Sequence, residues 1–281
     1  MADFQQPKNQ KDMHYERLDV EAVGEEIKVP QDQEYSRGSH SRKGHPRDYF
    51  NGESSHSGSF CRDIDDEVRG GFISKVYGII SFQLIVTAVF VLLAIGTGFG
   101  HWLLRNMWFS IVCMVGAIIT EIMIICCKYG RVVPQNYICL FSFTFFESIV
   151  VATICASVNS PFIVLVAAFM TCCLVLTLTA YAFYTKEDFT ACGSVAWVML
   201  SSLLILAILM FVFPSRILHI IYCTAATLIF SFILIADTQM LKGDKEERFG
   251  EDDYILAALM IYIDIITIFL QLVQLLAQAS D

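Results

Sequence analysis

Four carboxylic acids stand where the sequence is otherwise hydrocarbon: Glu121, Glu147, Asp237 and Asp264 each interrupt an apolar run. A charged side chain at the centre of a bilayer is costly, so intramembrane acids face a bundle interior or a wet cavity and mark a pathway or a proton site. Asp237 sits in Ala236-Asp237-Thr238-Gln239 and Asp264 in Tyr262-Ile263-Asp264-Ile265-Ile266, on the two runs that flank the charged loop Leu241–Asp253. The base within these runs is Lys75, close enough to the end of its run to carry its ammonium out to the interface. Two carboxyls that approach each other away from water share protons as a coupled pair. An acid-rich, base-poor core of this kind is a pH sensor by construction, with Asp237 and Asp264 at its centre.

The last apolar run carries a second pattern, because Asp264, Thr267, Gln271, Gln274 and Gln278 recur at spacings of 3, 4, 3 and 4. At 100° per residue these side chains fall within roughly 80° of arc and form a stripe down one helix face. Lipid cannot satisfy such groups, so the face must look into protein or water. Two readings fit: Thr267, Gln271 and Gln274 line a pathway, or they are interhelical hydrogen-bonding glue. Glu121 has the same two readings, pathway acid or protonated core group, and Glu147 reads better as the latter. Carboxylates are hard oxygen ligands suited to Ca²⁺, but a tight site takes six to eight oxygens. Asp237 and Asp264 with Thr, Gln and water oxygens therefore make a weak metal site of the permeant kind.

The elements that must position these groups are membrane helices, in an all-α, polytopic arrangement. Apolar runs near 72–96, 107–127, 137–158, 161–184, 190–213, 217–240 and 254–277 are each long enough to cross a bilayer. Asn159-Ser160-Pro161 leaves only a tight turn between the third and fourth. Lys and Arg near span ends divide nine to two: Arg62, Arg69, Lys75, Lys128, Arg131, Lys186, Lys242, Lys245 and Arg248 against Arg105 and Arg216. Cytoplasmic loops carry the excess, so the N-terminus is expected in the cytoplasm, with the C-terminus opposite unless the last helix re-enters without crossing. Asp237 lies about 6 Å of helix before Leu241 and Asp264 about 15 Å after Tyr254. The two meet only if the seventh helix begins below the membrane surface or tilts.

Composition agrees with a membrane class: 56% of the 281 residues are hydrophobic and the mean hydropathy is +0.58, above the apolar share of soluble domains. A net charge of −9 leaves no basic footprint for nucleic acid. Residues 1–60 are polar and aperiodic, which predicts a disordered cytoplasmic tail, and the seven-helix domain occupies 61–281. The tail histidines His40, His45 and His56 read as solvated side chains. Nine of the ten cysteines fall in or beside apolar runs and act as small hydrophobes, with Cys126-Cys127 a palmitoylation candidate beside Lys128. Asp63-Ile64-Asp65-Asp66-Glu67 lacks the glycine of an EF-hand loop. No P-loop, His-Glu-x-x-His or Gly-x-Ser-x-Gly pattern occurs, so no cofactor and no enzyme are expected. The one catalytic reading, an intramembrane aspartyl protease, wants Gly-x-Gly-Asp where this chain has Leu234-Ile235-Ala236-Asp237. A G-protein-coupled receptor needs an outside N-terminus, and no inverted repeat suggests a transporter.

Phe72-Ile73-Ser74-Lys75-Val76-Tyr77, Thr185-Lys186-Glu187-Asp188-Phe189-Thr190, Asp237-Thr238-Gln239, and Asp253-Tyr254 leading to Tyr262-Ile263-Asp264-Ile265-Ile266-Thr267-Ile268-Phe269 occur in that order. In these motifs the chain resembles the lifeguard branch of the transmembrane Bax-inhibitor-motif family, from Phe72 to Ala277. The resemblance implies a seven-helix fold with the last helix surrounded by six others, a pH-sensitive calcium leak, and restraint of cell death. It maps the family's di-aspartyl sensor onto Asp237 and Asp264, with calcium as permeant ion. It also implies residence in the endoplasmic reticulum, Golgi or plasma membrane, with membrane-protein partners in cell-death control. A non-conducting interaction protein that regulates such partners is the alternative. The sequence departs from the family in two places: no arginine lies between Met107 and Cys127, where bacterial relatives carry a latch, and the tail holds only Pro7, Pro30 and Pro46.

Overall fold

The computed structural model describes residues 53–126, 134–158, 160–190, 193–243, 249–250 and 253–280, with the side chains of 53–68 excepted. These residues form eight helices: α1 Glu53–Gly96, α2 Phe99–Arg105, α3 Met107–Cys126, α4 Gln135–Ala156, α5 Pro161–Tyr184, α6 Gly193–Val212, α7 Arg216–Lys242 and α8 Tyr254–Ser280. Seven of them are long and apolar enough to cross a membrane, the part of α1 concerned being Arg69–Gly96. Their ends follow from local chemistry. Pro161 opens α5 after an extended Ser160, where a missing N–H costs nothing. Ser215 caps α7 by accepting from the Leu218 N–H at 3.2 Å. Gly243, with φ of 80°, closes it by donating to the Gln239 carbonyl at 3.0 Å.

Three features differ from the sequence reading. Helix α1 begins at Glu53, inside the stretch read as tail. The histidines His40 and His45, residues 127–133 with Cys127, Lys128 and Arg131, and residues 244–248 lie outside the described residues, as do the side chains of His56 and the 63–67 acids. The short helix α2 falls between the first two apolar runs, where the sequence reading placed no element. It forms because Leu103 is fully buried among Ile149 and Ala152 of α4. A Cβ at Gly100 would collide with the Ala94 carbonyl, so glycine is what lets α2 fold back onto the end of α1.

Helix α8 is the most buried of the seven spans and packs against α1, α4, α5 and α7. It runs unbroken for 27 residues, about 40 Å at 1.5 Å per residue, and does not turn back as a re-entrant segment would. The resemblance implied six neighbours around it. Instead α3 packs mainly on α4 and α6 on α7. In α6, Ser201 and Ser202 donate to their own helix at Val198 and Met199, so the helix has little polar surface to shelter. Its Trp197, Ile205 and Phe211 are exposed, as are Leu165 and Phe169 of α5. An apolar surface this extensive is expected of a protein whose outer face is solvated by lipid.

One end of the bundle, here termed the loop end, is fastened by Arg69. Its guanidinium donates to the Met240 carbonyl at 2.7 Å, the Lys242 carbonyl at 3.3 Å and the Phe249 carbonyl at 2.8 Å. These include carbonyls of the last turn of α7, which have no partner within the helix. A Cβ on Gly243 would stand 2.6 Å from Arg69 Nε. Gly243→Ala therefore meets both a left-handed backbone, a cost of about 1–2 kcal/mol, and the displacement of Arg69. Thermal unfolding in detergent should show a clear loss for Gly243→Ala. Gly78→Ala, in mid-helix with open space around it, should be neutral or stabilising. Equal midpoints for the two variants would contradict this account of the clamp.

Candidate functional site

Asp237 of α7 and Asp264 of α8 meet inside the bundle, only 5% and 3% exposed, with their carboxyl groups close enough to interact. Asp237 is five residues from the end of α7 and Asp264 ten from the start of α8. The pair can be level only because α8 overhangs α7 at the loop end by about five residues of helix, roughly 7.5 Å. The start of α8 is held there: Tyr254 Oη accepts from Asn136 Nδ2 at 3.1 Å, and Lys75 Nζ lies 4.6 Å above the Tyr254 ring.

Oδ2 of each aspartate is buried and without a hydrogen-bond partner in the protein. Thr238 Oγ1 and Gln271 Oε1 are buried without partners as well. Unpaired polar atoms of this sort are rare in protein interiors, because each forfeits about 1–3 kcal/mol of solvation. Four such atoms lie on the facing helices α7 and α8.

The residues after Asp237 fix its helix. Gln239 receives the Phe189 N–H on Oε1 at 2.9 Å and donates from Nε2 to the Glu187 carbonyl at 2.9 Å. Asp188 accepts from the Thr190 N–H and hydroxyl at 3.0 and 2.7 Å, and Lys242 Nζ donates to the Phe183 carbonyl at 3.0 Å. The α5–α6 connection and the Asp237-Thr238-Gln239 turn are thus one unit, which explains why two motifs far apart in sequence occur together.

The structure divides the four intramembrane acids into two pairs. Glu121 of α3 and Glu147 of α4 are half-buried on helices that pack against each other, and Asp237 and Asp264 stand on α7 and α8. Of the stripe, Thr267 is half-buried and Gln271 buried, while Gln274 and Gln278 line a cavity at the far end of the bundle. Among the described residues no three His, Cys, Asp or Glu side chains are grouped to hold a metal. Any cation at the aspartates would have two carboxylates at most, as a permeant ion does. The free cysteines among the described residues include buried Cys113, Cys139, Cys155 and Cys223 and exposed Cys126.

Sequence reasoning missed a hydrogen-bonded network on the opposite side of α8. Thr87 Oγ1 is 2.7 Å from Tyr262 Oη and 3.1 Å from Ser148 Oγ, and Gln83 Nε2 donates to Thr144 Oγ1 at 2.9 Å. Gln83 and Thr87 are spaced like one face of a helix, as are Thr144 and Ser148, which is the signal that could have revealed it. Arg69 was counted only as an end charge, and His219 was not singled out.

A model of the family described as Inhibitor of apoptosis-promoting Bax1 matches residues 69–281. The chain is 32% identical to Protein lifeguard 3 of Homo sapiens, over 77% of this chain and 71% of the relative. It is 30% identical to Bax inhibitor 1 of Schizosaccharomyces pombe, over 76% and 79%, and 32% identical to Protein LIFEGUARD 4 of Arabidopsis thaliana, over 76% and 87%.

The Gln239 clamp makes a direct prediction. Gln239→Ala removes both hydrogen bonds to the α5–α6 connection, a loss of roughly 1–3 kcal/mol. Hydrogen exchange across 185–190 should accelerate by about ten-fold or more for each 1.4 kcal/mol lost. Unchanged protection in that segment would show that Gln239 does not hold it.

Proposed function

Because this chain belongs to the family of inhibitors of apoptosis-promoting Bax1, within its lifeguard branch, we propose that it is a passive calcium leak gated by Asp237 and Asp264, and that this flux is how it restrains cell death. The observation that carries the reading is the buried carboxyl pair at the head of the α8 stripe, with one unpartnered oxygen on each member. The membrane is that of an internal store such as the endoplasmic reticulum or Golgi. The loop end gathers Arg69, Lys75, Lys186 and Lys242, which supports a cytoplasmic loop end and N-terminus.

The gate follows from the proton count. In the closed arrangement the two carboxyls share one proton, and α7 and α8 are drawn together. With that proton gone, two carboxylates repel in a low dielectric, and the helices part or admit a cation between them. The closed state binds the proton and the open state releases it, so acid favours closure and flux rises with pH. Asparagine at either position donates to the remaining carboxylate without needing a proton. Such a variant keeps the closed pairing at every pH.

Calcium efflux from proteoliposomes across pH tests this. Wild-type flux should rise by about ten-fold or more from acid to mildly alkaline pH, equivalent to roughly 1.4 kcal/mol of differential protonation. Asp237→Asn and Asp264→Asn should both stay near the acid limit with a flat profile. Unchanged flux and pH response in both variants removes the pair from the mechanism. No flux above empty liposomes from well-folded protein favours the rival, a non-conducting interaction protein acting on membrane partners.

A further inference from the structure

Lysine and arginine are sparse at the end of the bundle opposite the loop end. Among the described residues they are Arg105, the last residue of α2, and Arg216, the first of α7. Arg216 is used by the fold, because its guanidinium donates to the Gln278 carbonyl of α8. Arg105 is exposed, and among the described residues it makes no hydrogen bond or ion pair. The end of α2 is capped by Asn106 instead. Its backbone N–H donates to the Trp102 and Leu103 carbonyls, and its Nδ2 donates to the Trp102 carbonyl at 2.8 Å. A cation kept at this end without an internal task points to a partner outside the chain.

The neighbours of Arg105 are aromatic. Trp102 lies one turn earlier on the same face of α2. Its ring stacks on Phe99 at 6.2 Å and meets Phe109 edge-on at 5.4 Å, and Trp108 continues the cluster through Phe109 at 6.0 Å. Trp102 and Trp108 are 47% and 64% exposed. From Trp108 the same face of α3 runs on through exposed Ile111, Val115, Ile118 and Ile122, the surface of a helix solvated by acyl chains. On the inward side of α2, Gly100 and Leu103 are buried. The close approach at Gly100 seats the helix against Ala94 near the end of α1 and Ala156 at the end of α4. Two indoles and a guanidinium are thereby held where the spans end and hydrocarbon gives way to headgroups. Tryptophan suits that level because its ring is apolar and its N–H polar. A guanidinium matches a phosphate with paired donors.

We propose that the α2–α3 corner binds a phospholipid of the leaflet at this end. Arg105 takes the phosphodiester, and Trp102 and Trp108 enter the boundary between headgroup and acyl chain. Helix α2 packs mainly on α1 and α4, so a lipid held here anchors that side of the bundle. The site does not depend on the calcium path.

Solid-state NMR of the full chain in phosphatidylcholine vesicles tests the contact. With arginine labelled at Cζ, the wild type should show a component dephased by the lipid phosphorus that is lost in Arg105→Gln. That variant removes no internal contact among the described residues and should keep the wild-type thermal midpoint in detergent. A second readout uses Trp197→Phe, whose remaining tryptophans are Trp102 and Trp108. Lipids brominated high on the acyl chain should quench its fluorescence more than lipids brominated near the terminal methyl. Identical dephasing in wild type and Arg105→Gln, or quenching by the deep bromines that equals or exceeds the shallow, overturns the proposal. So does an equal Arg105-dependent dephasing from inorganic phosphate added to the detergent-solubilised protein, which would make the ligand a free anion.

Discussion

A polar atom in hydrocarbon must be satisfied by the protein itself or by water that the protein admits, and this constraint sorts the surfaces of α8. Tyr262 and Asp264 are two residues apart, about 200° around the helix. On the Tyr262 side the hydroxyl meets Thr87, Thr87 meets Ser148, and Gln83 donates to Thr144 while its own Oε1 is left without a partner. That side is fixed to α1 and α4. On the Asp264 side, Asp237 Oδ2, Asp264 Oδ2, Thr238 Oγ1 and Gln271 Oε1 are left without protein partners.

The same constraint sets what can move. Helix α7 carries Asp237, and its last turn is held by Arg69 through two carbonyls and by Lys242 and Gln239 through the end of α5 and the α5–α6 connection. Separation of the carboxyl pair therefore has to be a tilt or bend of α7 about its anchored loop end, or a shift of the loop end as a whole. The opposite end of α7, near Arg216 and His219, borders two cavities and has space around it. Motion is cheapest where packing is thinnest, so the far end is the freer one.

Much of this architecture was legible in the residues. Seven apolar runs gave seven spans to within a few residues, because length and hydropathy are what a bilayer demands. The 3, 4, 3, 4 spacing from Asp264 gave the inward face of α8, since lipid leaves polar groups nowhere else to go. The meeting of Asp237 with Asp264 was less legible, because it depends on how far α8 overhangs α7, which Asn136, Tyr254 and Lys75 set through contacts distant in sequence. Helix α2 was not foreseen, because at seven residues it is too short to stand out as a span and it depends on the close approach that Gly100 allows. Arg69 was invisible as a clamp because its partners are backbone carbonyls, which carry no sequence signature. Glu121 kept two readings in the sequence, pathway acid or core group, and the structure puts it on α3, beside the α4 helix that carries Glu147.

The account turns on a single proton held between two carboxyls in the middle of the bundle. Infrared difference spectroscopy of the purified protein near neutral pH reads that proton, comparing wild type with Asp237→Asn/Asp264→Asn. The wild-type spectrum should contain a protonated-carboxyl C=O band, shifted in heavy water, that the double replacement removes while the Glu121 and Glu147 contributions cancel. A difference spectrum that shows only two ionised carboxylates, with no protonated band lost, would contradict the shared proton and with it the gate.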